Sequence, residues 1–349
     1  MYLVLSIFAF GLLVLGHEFG HFIMARVNGV KVEEFSVGMG PRLWTKKGNA
    51  TTYSLKALPI GGSVQMYGET AEEGGEGSFF SKSPLRKISI IAAGPIMNLI
   101  MAVLILFAVT LFTGYSSNAV NEIVPGSPAQ AAGIQPGDEI ISVNGESAYT
   151  FQDVSTYINY YGINVDTSDK DADPVITAKD LTVVVKTSAG EVQKVITPII
   201  TEGRPLIGIA PVSTENPGFF ESIGESFNQG RSLIAQTLFS LKILFSGQAN
   251  INDFGGPVTI FKISTEVASV SLWGLASFVA FLSINLAVLN LIPFPALDGG
   301  WILILLVELL TRKRLPDKFV GVWNAVGFVV LMSFMLLITF KDIFLPGGF

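Results

Sequence analysis

Four apolar blocks limit what this chain can fold into. Residues 3–25, 88–112, 273–292 and 320–340 are almost uninterrupted hydrophobic runs, each holding about the 20 residues that cross a bilayer core as a helix. A fifth run, 301–310, is too short to cross alone and is expected to continue the third span beyond a Pro-interrupted stretch. Only 14% of residues are charged and mean hydropathy is +0.54, whereas soluble domains carry about 25% charged residues. The pattern predicts a polytopic α-helical membrane protein with about four transmembrane helices. The first block lacks a basic start and runs on past His17 and Glu18, so it reads as a retained helix rather than a cleaved signal peptide.

Charge sets the expected orientation. Residues 25–87 hold nine Lys/Arg and six Asp/Glu, while 114–270 hold eight and seventeen. The turn at 311–319 adds Arg312, Lys313, Arg314 and Lys318. Basic loops stay cytoplasmic, which puts 25–87 and 311–319 inside and 114–270 with both termini outside. A net charge of −6 gives no footprint for nucleic acid.

The chain divides into 1–113, with the first two spans; 114–212, a small domain of short strands and turns; 213–270; and 271–349, with the last spans. Val183-Val184-Val185 and Ile207-Gly208-Ile209 suit strands and Ser188-Ala189-Gly190 a turn. Residues 166–174 read as a polar loop. Residues 219–245 have the periodicity of an amphipathic helix lying at the membrane surface.

The chemistry gathers in the first block. The chain's only two histidines, His17 and His21, stand four apart with Glu18 after the first. On a helix, positions i and i+4 share a face, so both imidazoles reach one metal while Glu18 serves a metal-bound water. A carboxylate inside a membrane span is costly and marks a functional site. Catalytic zinc takes three protein ligands and a water. With no cysteine and no third histidine, the third must be Asp or Glu. Asp298, after Pro293 and Pro295 and before Gly299-Gly300, is the best placed, and Glu308 is a weaker rival. Asn98 reads most simply as a helix–helix hydrogen-bonding residue; Asn285 suits substrate backbone or an oxyanion.

With these residues in place, the sequence resembles the bacterial site-2 proteases, in particular the regulator-of-sigma-E protease group. The likeness rests on His17-Glu-Phe-Gly-His21, Val37-Gly-Met-Gly-Pro41, Leu58-Pro-Ile-Gly-Gly62, Ala93-Gly-Pro-Ile-Met-Asn98 and Ser283-Ile-Asn285 leading to Leu297-Asp-Gly-Gly300. The resemblance implies Zn2+ held by His17, His21 and Asp298, with Glu18 as general base. It implies a membrane-associated β-hairpin near 35–66 that presents substrate as an extended strand, bringing in Gly38, Gly40, Pro41, Gly61 and Gly62 as substrate-binding positions. Residues 123–145, with Pro-Gly-Asp and Val-Asn-Gly turns, look like one extracytoplasmic PDZ-like α+β domain, a gate or a recruiter of substrate. Implied substrates are single-pass transmembrane proteins such as anti-sigma factors, or signal-peptide remnants, cleaved in a bacterial cell membrane. Two departures stand out. Trp301 occupies a position where members often have His, and the chain has room for one PDZ domain where Gram-negative members carry two. The non-enzymatic alternative is a PDZ membrane adaptor with a relic metal site.

Overall fold

The computed structural model describes residues 1–68, 75–166, 175–247 and 255–344. Two compact units form, Met1–Leu106 with Ser240–Phe349, and Phe107–Phe239. Four helices are long and apolar enough to cross a membrane: Tyr2–Val27, Pro84–Thr113, Leu272–Leu291 and Lys318–Phe344. Their outward residues include Leu3, Val4 and Phe8 on the first and Val326, Phe328, Val329, Phe334 and Leu337 on the last, all exposed. Apolar surface of that extent is lipid-facing rather than water-facing. The helices fit a polytopic membrane protein.

In the first unit, α1 (Tyr2–Val27) buries Leu13, Gly16, His17 and Gly20, one stripe at helical spacing. Gly16 and Gly20 are one turn apart and let α2 (Pro84–Thr113) approach closely. A Cβ on Gly16 would lie 2.0 Å from Met101 Sδ, and one on Gly20 would lie 2.2 Å from the Ala93 carbonyl. Position 16 thus meets 101, and 20 meets 93, so the two helices run antiparallel.

Between α1 and α2 lie β1 (Val32–Lys47) and β2 (Thr52–Met66). The expected hairpin at 35–66 is more elaborate than two strands. Residues 34–37 pair with 62–65 and also with 52–55, while 42–47 pair with 52–56. The two long strands bend back to make a sheet in the order 42–47, 52–56, 34–37, 62–65. Gly38 and Gly40, with φ of 85° and 86°, provide the bend that a side chain would resist. The 62–66 segment is an edge among the described residues. A buried cluster of Ala25, Val30, Val32, Met66, Phe79, Ile90, Ile91 and Leu305 ties this sheet to α1, α2 and a later helix.

That later helix follows α5 (Phe219–Phe245), α6 (Pro257–Val270) and α7 (Leu272–Leu291). The 301–310 run belongs to a distinct helix, α8 (Asp298–Thr311), and α9 spans Asp317–Phe344. The chain between α7 and α8 folds tightly over the start of α8. A Cβ on Gly299 would lie 2.2 Å from the Ile292 carbonyl and one on Gly300 2.2 Å from that of Phe294, so only glycine fits at both. The stretch 213–270, read from sequence as one region, contains two helices. Of these, α6 packs on α1 through Phe10 and Phe261, whose rings are 4.6 Å apart.

The second unit is built on a sheet in the order β12 (Ile209–Thr214), β3 (Tyr115–Ile123), β4 (Glu139–Val143), β8 (Leu181–Thr187), β9 (Gly190–Ile196), and its shorter elements are α3 (Pro128–Ala131), β5 (Glu146–Ser147), β6 (Ile163–Asp166), β7 (Val175–Ala178), β10 (Ile199–Thr201) and β11 (Arg204–Leu206). Alternate residues Leu181, Val183 and Val185 are buried, as period-2 packing on one covered face requires. That face holds α4 (Phe151–Tyr161), with Val154 and Tyr157 buried beside Val120, Ile140 and Val143. Thr150 and Asp153 form a capping box. The buried Asp153 also accepts from Ser232 Oγ and Gln236 Nε2 of α5, each at 2.7 Å. Phe239 stands edge-on to Tyr157 and Tyr160, at 5.0 Å from each. Most of the 166–174 loop lies outside the described residues.

Candidate metal centre

His17 and His21 sit one turn apart on the buried stripe of α1, their rings 4.8 Å apart and nearly perpendicular. The His21 ring is fixed by its Nδ1, which donates to the Ile90 carbonyl at 2.9 Å. Pro95 within α2 cannot donate to the Ile91 carbonyl one turn back, which loosens the ladder beside the carbonyl that His21 uses. A proton on Nδ1 leaves a lone pair on Nε2. That nitrogen points at His17 Nε2, 3.2 Å away, and at Asp298 Oδ2, 3.7 Å away. The third edge, His17 Nε2 to Asp298 Oδ2, is 3.2 Å.

These three distances fit one ion. Zinc bonds of about 2.0–2.2 Å place tetrahedral ligand atoms about 3.3–3.6 Å apart. Asp298 Oδ2 is buried and receives no hydrogen bond. Lone pairs of His21 Nε2 and Asp298 Oδ2 therefore converge on one point beside His17 Nε2, an arrangement that a cation there would satisfy. Among the described residues, His17, His21 and Asp298 form the one group of this kind. Asp298 is the first residue of α8, where the helix N-terminus favours a carboxylate anion.

The centre opens into a cavity of about 220 Å³ lined by Glu18, Val64, Met66, Phe79, Ile91 and Trp301 as well as the three ligand candidates. Two glycines make room for it. A Cβ on Gly94 would lie 2.4 Å from His21 Nε2 and 2.8 Å from His17 Cε1. One on Gly62 would lie 3.0 Å from Glu18 Cγ, so the edge segment 62–66 passes directly beside Glu18.

The other sequence-derived candidates fare differently. Glu308 lies near the far end of α8, 3.7 Å from Lys87 Nζ, and accepts from the Leu315 amide, away from the three-ligand group. Asn285 donates to the Phe281 carbonyl one turn back on α7 and is not among the residues lining the cavity. Gly38, Gly40 and Pro41 shape the exposed bend of the sheet, and Gly61, with φ of 89°, packs on Met39; none of these four lines the cavity. Gly94 entered the sequence reading only as part of the 93–98 motif, with no role at the site, although its place one turn before Asn98 was a usable signal. Val64 and Met66 escaped sequence reasoning, since they reach the cavity only through the sheet's non-local pairing.

The sequence profile described as peptidase family M50 matches residues 5–334. This chain belongs to that family, the site-2 protease family. As an M50 peptidase it is a metalloprotease, and the metal this membership implies is zinc, which the donor set fits. Among similar proteins, one from Clostridium perfringens carrying the name "Putative zinc metalloprotease" is 40% identical over 349 residues, covering 99% of each chain. A Campylobacter jejuni protein with the same style of name is 32% identical, covering 97% of this chain and 92% of its own. Zinc metalloprotease RasP of Bacillus licheniformis is 28% identical over 425 residues, covering 97% of each. The similarity to these M50 relatives runs through both units.

Proposed function

We propose that this M50 peptidase is an intramembrane zinc endopeptidase that hydrolyses peptide bonds within the transmembrane segments of single-pass proteins. The observation that carries the reading is the convergence of His17, His21 and Asp298, with Glu18 and the sheet edge at Val64 and Met66, around one cavity in a unit built of membrane-length helices.

In this reading His17, His21 and Asp298 hold the metal. Zinc, when bound, supplies Lewis acidity toward the scissile carbonyl and makes a water acidic enough to ionise near neutral pH. Glu18 takes the proton from the attacking water and delivers it to the leaving amine nitrogen. A transmembrane helix hides its amides in its own hydrogen bonds, so the substrate must unwind, and unwound backbone in a bilayer needs new partners. The 62–66 edge offers a row of backbone donors and acceptors for a substrate strand, beside Glu18.

The unit at 107–239 supports the PDZ-like reading through its short-strand sheet with α4 packed on it. Charge asymmetry supports an extracytoplasmic place for it and for both termini. Anti-sigma factors and signal-peptide remnants are the substrate classes that the resemblance brings. A non-catalytic PDZ adaptor with a relic metal site is disfavoured by a donor set that is complete and correctly spaced.

The test is cleavage of a single-pass substrate in proteoliposomes by wild type and Glu18→Gln, with zinc content measured in both. Glu18→Gln is expected to keep its zinc and to lose cleavage by about 10²-fold or more, the scale of a general base. Near-normal cleavage by this variant would remove the mechanism.

A further inference from the structure

His17 must present its Nε2 to the metal, because that atom stands 3.2 Å from both His21 Nε2 and Asp298 Oδ2. A neutral imidazole carries one proton, so His17 carries it on Nδ1. That N–H lies inside the protein and needs an acceptor. The side chain that meets this nitrogen is Asn98, fully buried on α2. As assigned, its Nδ2 lies 3.3 Å from His17 Nδ1, which sets one N–H against another. Its Oδ1 meanwhile is buried without any donor. The amide oxygen and nitrogen are nearly isosteric, and their assignment follows from the hydrogen-bond network. A half-turn of the amide brings Oδ1 opposite His17 Nδ1, gives that oxygen a donor and removes the clash of like groups.

We infer that Asn98 is a positioning residue for the metal centre, accepting through Oδ1 from His17 Nδ1–H and so fixing the tautomer and the ring. The placement on α2 fits this role. Gly94 and Asn98 lie one turn apart on one face. Gly94 leaves the space that the two rings occupy, and Asn98 meets the outer nitrogen of one of them. The Ile90 carbonyl, one further turn back, holds the other ring. Three successive turns of α2 thus clear and orient both imidazoles. Ser283 Oγ of α7 donates to the Asn98 carbonyl at 2.8 Å and holds the main chain at this point. Groups that hold the second nitrogen of a metal-bound histidine commonly change metal affinity by about 10–100-fold.

The inference rests on the metal reading above, and the experiment separates the two. Zinc affinity is measured by chelator competition for wild type, Asn98→Leu and Asn98→Asp. Asn98→Leu removes the acceptor and is expected to weaken zinc by about 10–100-fold. Asn98→Asp keeps an acceptor but cannot donate when ionised, and is expected to retain affinity within a few-fold of wild type. Because the chain has only two histidines, ¹⁵N-histidine labelling gives two rings to follow. In zinc-loaded wild-type protein in bilayers both Nδ1 atoms should carry protons, and Asn98→Leu should shift one Nδ1–H signal and leave the other in place. Unchanged zinc affinity and spectra in Asn98→Leu would overturn the inference. Equal loss in Asp and Leu variants would also overturn it, since the amide would then act as donor or packing group. Wild-type protein whose zinc binding leaves both rings unperturbed would instead overturn the metal reading itself.

Discussion

Asp298→Ala would leave zinc two imidazoles, one protein ligand short of a catalytic set. Zinc affinity is expected to fall by more than the roughly 10–100-fold that outer-shell changes cause, and cleavage to disappear with it. Metal analysis after dialysis checks this; retained zinc and activity would point to a different third ligand. A second residue-scale expectation concerns Glu225 on α5, which is buried with one oxygen unpartnered. Burial, the largest cause, raises its pKa, and Asn228 and Gln229 only partly offset this. The folded state therefore holds this proton to higher pH than the unfolded chain does. The contribution is favourable below the ordinary carboxylate pKa of 4.5 and is lost as pH rises through the raised value. Glu225→Gln is expected to raise the unfolding temperature at neutral pH and to narrow its lead as pH falls. Thermal unfolding of both proteins between about pH 4 and 8 reads the difference, and a lead that is flat across the range would contradict it.

On the scale of elements, glycine decides where helices can touch. Gly94→Ala would drive a methyl group to 2.4 Å from His21 Nε2, so zinc binding should fall sharply. Gly224→Ala, on α5 with nothing within 4 Å of the new atom, should leave zinc untouched and add up to about 1 kcal/mol of helix stability. Paired zinc and unfolding measurements on the two variants check this; equal effects would show that clearance at Gly94 is unimportant. The four long helices were legible in the sequence because each is an apolar run of membrane length. His17 and His21 were legible as a pair because helical spacing puts them on one face, and Glu18 because it completes their motif. Elimination, in a chain without cysteine or further histidine, narrowed the third candidate ligand to Asp or Glu, and position in the Pro-broken stretch favoured Asp298 over Glu308. The sheet was only half legible, since residues 34–37 pair on both sides with segments of β2 and no local pattern records such partners. Helix α6 was missed because its 14 residues carry a mixed pattern and it gains its partners from α1 and α7. The role of Asn98 was hidden for the same reason: a buried amide one turn after a glycine fits helix packing until the imidazole beside it is seen.

For the whole molecule, the exposed Val, Phe and Leu side chains of α9 and α1 fit a lipid environment, and the charge bias of the loops is the basis of the orientation proposed above. A reporter inserted within 166–174 is expected to read as extracytoplasmic and one within 70–78 as cytoplasmic; the reverse at both sites would invert the orientation. The central claim, however, is that one zinc ion joins α1 to the start of α8 through His17, His21 and Asp298. X-ray absorption at the zinc edge of the loaded, full-length protein tests it most directly. The expected spectrum has nitrogen and oxygen neighbours at about 2.0–2.2 Å with the outer-ring scattering of two imidazoles, falling to one imidazole in His17→Ala. A wild-type spectrum without imidazole scattering, or one that His17→Ala leaves unchanged, would contradict the account.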